Sequence, residues 1–193
     1  MLGLIFASLS FGAFADDHAA NIIFGESYNF STTNPAAVVE AMDTWAASET
    51  GKKSLANISL GQYMSNGENE ATHQIVVFHQ NKEAMNEQIA MNLASSDSQK
   101  FLAKFASITT PVSENLFSFV GGTNKPGVIT TSTPVQMLYA LEVTDLAAFQ
   151  KAFAKLLASD AVAAFPGNVS YGEVIANGEN PSTHWVSFTT NDA

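Results

Sequence analysis

The chain has 193 residues, 46% of them hydrophobic, and a formal net charge of −10; all eight of its cationic side chains are lysine. Clustered cations are what a nucleic acid requires, and arginine is the usual bidentate partner of phosphate, so this balance excludes nucleic acid and argues against phosphorylated substrates and anionic lipid. With no cysteine, disulfides, thiolate metal sites and a cysteine-linked lipid anchor are excluded too.

Leu2 to Phe14 is an apolar run ending in Ala13-Phe14-Ala15, a small-x-small cleavage pattern, with Asp16-Asp17 behind it. Residues 1–15 therefore read as a signal peptide that directs the protein to the periplasm or outside the cell, although the basic stretch that normally precedes such a run is missing. About a dozen apolar residues are too few to span a bilayer, and no later stretch is long enough either. Cleavage after Ala15 would make His18 the third residue. Its imidazole, the free amine and two amide nitrogens would then form a planar site suited to Cu(II) or Ni(II).

Asn21 to Phe30 alternates apolar and polar residues and predicts a strand. Asn34-Pro35 is a helix cap with proline at N1, followed by Val38, Met42 and Trp45 along one stripe. Leu55 to Ser65 predicts a second strand, Asn66-Gly67 a tight hairpin turn, and Thr72 to Gln80 a third strand. Asn81 caps a helix with Met85, Ile89 and Leu93; Ser95-Ser96-Asp97 recaps a second with Phe101, Leu102, Phe105 and Ile108. Leu116 to Val120 predicts a fourth strand. The second half then predicts a strand over 135–143, a helix capped by Asp145, and strands over 169–176 and 184–190.

This order repeats. Asn66-Gly67-Glu68-Asn69 and Thr72-His73 recur, 111 positions later, as Asn177-Gly178-Glu179-Asn180 and Thr183-His184. The register holds without a gap from Tyr28/Tyr139 to His73/His184, which marks a tandem duplication. The expected fold is α+β: two tandem ferredoxin-like βαββαβ repeats in a pseudo-twofold barrel, the second incomplete. The repeats span 16–123 and 134–193, joined by a linker over 124–133. The second stops after its third strand, so 135–143 is expected to expose an unpaired edge open to self-association, and the chain reads as a fragment of a longer frame. Ile75-Val76-Val77-Phe78 is apolar on both faces, so both faces of the sheet should be covered.

Phe165-Pro166-Gly167-Asn168-Val169-Ser170-Tyr171, and the third strand running into Asn81 to Met85, Ser95 to Ala106 and Pro111, resemble the dimeric α+β barrel superfamily, in particular its antibiotic-biosynthesis-monooxygenase-like domains. The resemblance covers the whole mature chain. It implies sheet-to-sheet pairing and, in many members, a small hydrophobic ligand between sheet and helices. Some members oxidise quinone-like or polyketide substrates without a cofactor, and others degrade haem.

His73 and His184 occupy matching positions at the starts of the third strands. They read either as ligand-binding or proton-shuttling groups at a cleft mouth or as histidines that set the hairpin. Tyr28, Trp45, Tyr139 and Trp185 belong to aromatic-rich faces that could line a pocket or form core. Trp185 replaces Gln74 of the first copy and makes the two clefts different. The Asn-Gly-Glu-Asn loops lack the spaced carboxylates of a calcium site. No nucleophilic triad, Walker loop or dinucleotide fingerprint is present, and no cofactor is expected. The sequence favours an exported, non-catalytic module that binds a small hydrophobic ligand. The alternative is a cofactor-independent monooxygenase-like enzyme for a small aromatic or quinone-like substrate, with His184 as base, Tyr139 or Glu173 assisting, and Trp185 alongside.

Overall fold

The computed structural model describes residues 2–7 and 24–191. Phe24–Ser31 (β2) follows the predicted alternation: Phe30 is 1% exposed under the helices, while Ser27 and Asn29 are buried on the opposite face. The Asn34 side chain accepts the Ala37 N–H and Pro35 starts helix α1 (Pro35–Ala46), which buries Val38, Ala41 and Met42. A 3₁₀ turn at Gly51–Lys53 leads into β3 (Asn57–Ser65) and then β4 (His73–His79). Helices α2 (Lys82–Ala94) and α3 (Ser96–Ile108) start at the caps Asn81 and Ser95, and β5 (Thr110–Gly122) closes this half. The second half runs β6 (Val135–Leu141), α4 (Leu146–Leu157), a short α5 (Asp160–Ala164), β7 (Gly167–Ala176) and β8 (His184–Thr190).

The fold is α+β. Seven strands from β2 to β8 form one continuous curled antiparallel sheet in the order β3-β4-β2-β5-β7-β8-β6, with five α-helices on its outer face. Leu2–Ala7 (β1) lies between the two end strands, antiparallel to both β3 and β6, so the hydrogen bonding closes into a barrel. The free edge expected along 135–143 is therefore absent: β6 pairs with β8 on one side and β1 on the other. Backbone donors and acceptors on an apolar strand need partners, and the apolar run expected to be a leader supplies them. The remainder of that run, and His18, fall outside the described residues.

Strand alternation divides the side chains into two sets. Outward residues form two apolar clusters beneath the helices. One is built on Phe30, Val38, Met42, Leu60 and Ile75. The other is built on Phe153, Val162, Val169 and Val186. Several inward residues of the first half are polar and bond across strands, while Trp185, Phe117 and Phe119 meet on the inward side at the seam. Tyr63 Oη donates to Asn29 Oδ1 (2.6 Å), Asn29 Nδ2 to Ser113 Oγ (2.9 Å), and Asn115 Nδ2 to Ser27 Oγ (2.9 Å). At the seam between halves the barrel has little room: a Cβ on Gly172 would run into Ser118 O and meet the Trp185 ring at 2.6 Å.

Three details depart from the sequence expectation. Helix α2 presents no buried apolar stripe: Ile89 and Leu93 are 39% and 74% exposed, and its buried residue is Gln88. Gln88 Oε1 accepts the Leu55 N–H (2.7 Å) and the Ser54 hydroxyl (3.1 Å), so a polar clasp holds this helix. The Asn-Gly loops are β-turns inside longer connections, with Gly67 and Gly178 at φ +58° and +64°. The amides of Asn66 and Asn177 donate to Ala71 O and Ser182 O, each at 2.9 Å, in place of strand ladder bonds. The linker is held as well: Lys125 Nζ donates to the carbonyls of Val162 (2.6 Å), Ala163 (3.1 Å) and Phe165 (2.8 Å), capping the end of α5.

Phe30→Ala is expected to cost about 3–5 kcal/mol of unfolding free energy, because the first cluster collapses onto a cavity. Leu93→Ala, on the exposed flank of α2, is expected to stay within about 0.5 kcal/mol. Urea unfolding of both variants checks this division of the apolar residues.

Candidate functional site

The first half holds an acid–histidine pair that the sequence reading did not assemble. Glu26, Tyr28 and Phe30 alternate on the outward face of β2, and His73, Ile75, Val77 and His79 do the same on β4. The antiparallel register sets Glu26 opposite Val77 and Phe24 opposite His79, so Glu26 and His79 are diagonal neighbours. Diagonal neighbours are within reach of long side chains. His79 Nε2 lies 3.1 Å from Glu26 Oε2. A carboxylate accepts only, so Nε2–H is the donor. The imidazole is wholly buried, and Nδ1 has no hydrogen-bond partner.

Tyr28 hydrogen-bonds to the same carboxylate. Burial first, then the negative charges of Glu26 and Glu114, push its phenol well above the ordinary tyrosine value, so Tyr28 stays protonated and donates. The set is thus Tyr28, Glu26 and His79 in a row, ending in a free ring nitrogen. Position 26 corresponds to Met137 and position 79 to Thr190 in the second half, while Tyr28 corresponds to Tyr139. There Tyr139 Oη lies 3.0 Å from Met137 Sδ. The acid–base pair belongs to one half alone.

A cleft of about 310 Å³ opens at the same end of β4, lined by Leu55, Asn57, Phe78, Gln80, Asn81 and Glu83 among others. It lies along the start of α2, in the size range of a small-molecule site.

The residues singled out from sequence fall in several places. His73 is buried and stacked on Phe30 (centroids 5.8 Å), and His184 is buried 5.1 Å from the Phe149 ring. Each has Nδ1 beside the preceding threonine hydroxyl, at 2.8 and 2.9 Å. Those hydroxyls also accept the N–H of Thr32 (3.1 Å) and Val143 (2.9 Å), so the Thr–His pairs fasten the ends of β2 and β6. His184 Nε2 is buried without a partner. Trp185 follows His184 in the strand and points the opposite way, into the barrel, where Nε1 donates to Ser118 O (3.1 Å) between Phe117 and Phe119. His184 and Trp185 therefore do not share one site. Trp45 lies between α1 and α3, its Nε1 donating to Ser98 Oγ (3.1 Å). Tyr139 packs edge-on to Phe188, and Glu173 is exposed on β7. His79 was the residue missed. The signal was present in the outward parity of Glu26 and His79, but only the β2–β4 register joins them.

Among the described residues no three of His, Asp and Glu converge as a metal site, and no helix is long and apolar enough to cross a membrane.

No protein-family model matches the chain, and no curated protein matches it in sequence. Solved structures do match. A putative monooxygenase from Lactobacillus acidophilus NCFM superposes with a TM-score of 0.53 at 16% identity, over 89% of this chain and 78% of that one. A putative monooxygenase from Fusobacterium nucleatum subsp. nucleatum ATCC 25586 gives 0.55 at 12% identity, over 89% and 76%. At these identities the likeness shows a shared fold.

Burial lowers the His73 imidazole below its ordinary value of 6.5. A folded-state value below the unfolded one means that the unfolded chain takes the proton first. The stability contributed by neutral His73 is therefore full above about pH 6.5 and is lost as pH falls through the folded value. His73→Gln is expected to flatten the decline in urea midpoint between about pH 7.5 and 5.5; an unchanged slope would place the titration elsewhere.

Proposed function

We propose that the chain is a cofactor-independent monooxygenase-like enzyme acting on a small aromatic or quinone-like substrate, on a scaffold of two duplicated ferredoxin-like units. The Glu26–His79 pair carries this reading, because such chemistry begins with removal of a proton from a phenol or an activated C–H. Glu26 fixes the tautomer and stabilises the imidazolium that forms, and Nδ1 takes the proton. Tyr28 holds the carboxylate in place. The resulting anion is electron-rich enough to reduce dioxygen, which is the oxidant. For a ring methylene, R₂CH₂ + O₂ gives R₂C=O + H₂O: one oxygen stays on carbon and the other leaves as water with both hydrogens. The fold shared with two putative monooxygenases supports the same class.

His79 is wholly buried and does not line the cleft itself, so substrate reaches Nδ1 by displacing α2 beside it. That helix packs on β4 and is held by polar contacts at Gln88, with its apolar side chains largely in solvent, so displacing it exposes little buried apolar surface. The complete burial of the His79 ring favours a second reading, in which the cleft binds a small ligand and no turnover follows.

Oxygen uptake with a panel of hydroquinones and ring ketones bearing an acidic methylene separates the two. His79→Gln and Glu26→Gln are each expected to lower the rate about 100-fold or more, the usual worth of a positioned base, while His184→Ala changes it little. Loss of uptake in His184→Ala alone would move the base to the second half. Ligand binding without uptake in any variant would return the chain to the binding reading.

A further inference from the structure

The two Asn-Gly turns are identical in sequence and different in surroundings. Asn66 and Asn177 each open a turn, their carbonyls accepting the N–H of Asn69 (3.1 Å) and of Asn180 (3.4 Å). Gly67 and Gly178 follow with positive φ, and a Cβ on either would meet nothing within 4 Å. Among the described residues neither glycine N–H is engaged in a hydrogen bond. Each asparagine amide therefore precedes an open, unshielded backbone nitrogen.

The amides themselves are held differently. Asn66 Nδ2 donates twice, to Ala71 O (2.9 Å) and to Asn69 O (3.4 Å), and Asn66 Oδ1 is buried without a partner. Ala71, which closes this loop, is 4% exposed. Asn177 Nδ2 donates to Ser182 O (2.9 Å), and its Oδ1 is not among the buried unpartnered atoms. Ser182, the counterpart of Ala71, is half-buried.

We infer that Asn177 is a self-modification site, losing its amide nitrogen to attack by its own backbone, and that its loop protects Asn66 from the same reaction. The Gly178 nitrogen bonds to Asn177 Cγ. Its proton leaves with Nδ2 as ammonia, and a five-membered imide remains. Water then opens the ring at one carbonyl to give aspartate, or at the other to give isoaspartate. The sum is amide plus water to acid plus ammonia, with no redox step. Negative charge develops on Oδ1 during the attack, and such charge is stabilised by donors or solvent. Buried Oδ1 of Asn66 has no donor, and its doubly bonded amide resists the rotation that brings Cγ to the Gly67 nitrogen. One hydrogen bond restrains the Asn177 amide.

The product matters to the second half. A carboxylate only accepts, so it cannot replace the bond to Ser182 O. The loosened loop leads straight into Thr183, whose N–H donates to Leu141 O (2.9 Å) and whose hydroxyl accepts the Val143 N–H (2.9 Å). Conversion at Asn177 thus weakens the fastener of β6, while the half that carries Glu26 and His79 keeps its turn.

The full-length protein, aged at mildly alkaline pH and digested at intervals, gives both rates by mass spectrometry as peptides in which NH₂ has become OH. Asn177 is expected to convert about tenfold or more faster than Asn66, which is about 1.4 kcal/mol between the two transition states. In denaturing urea the rates are expected to converge, since the two tetrapeptides are the same. Equal rates in the native protein, or faster conversion at Asn66, would overturn the inference. A difference that persists in urea would overturn it too, because sequence rather than the loops would then set the order.

Discussion

β5 pairs with β2 from Thr110 to Ser118 and with β7 from Leu116 to Gly122, and the joining of the two halves into one sheet rests on that double pairing. Its two partners take largely different stretches of it, and β5 accommodates them with thirteen residues against eight in β2. Register irregularities at Asn29/Phe30, Leu116/Phe117 and Phe119/Gly121 let it curve between them. Small residues line the crossing: a Cβ on Gly122 would run into Val169 O, and Gly172 is closed in by Ser118 and Trp185. The curvature that makes a barrel from two half-sheets is concentrated here.

The two halves share their strand fasteners and differ in their titratable side chains. Both halves keep the Thr–His fastener and the Asn-Gly turn, the parts that hold strand ends and connections. Glu26 and His79 have no counterparts: Met137 and Thr190 occupy those positions, and the tyrosine that meets a carboxylate in one half meets a thioether in the other. The symmetric elements maintain the scaffold, and the asymmetric ones differentiate the space beneath the helices.

Much of this architecture was legible in the sequence because it is encoded locally. Caps at Asn34, Asn81, Ser95 and Asp145 mark helix starts through a side-chain oxygen and a nearby N–H, a bond that needs no tertiary context. Alternation in β2 and the two-sided burial of β4 were likewise visible as pattern. The illegible parts were relational. An apolar run of leader character also has the composition of a strand, and its pairing beside β6 is visible only in the sheet. Helix α2 carries Met85, Ile89 and Leu93 at helical spacing, yet the face that docks is the one with Gln88, because Ser54 and Leu55 present polar groups there. Glu26 and His79 are 53 positions apart and meet only through strand register.

The polar lining of the barrel has an evolutionary corollary. In an oily core each position tolerates several side chains of similar bulk, and neighbours drift almost independently. Here Asn29 bonds at once to Tyr63 and Ser113, and Ser27 to Asn115, so losing one partner leaves the other buried and unsatisfied at a cost of about 1–3 kcal/mol. Substitution at any of these five positions is thus bound to compensation at another. Among descendants of this sequence, 27 with 115, and 29 with 63 and 113, should change as linked sets or hold still, and the interior of the barrel should record ancestry more faithfully than its apolar exterior.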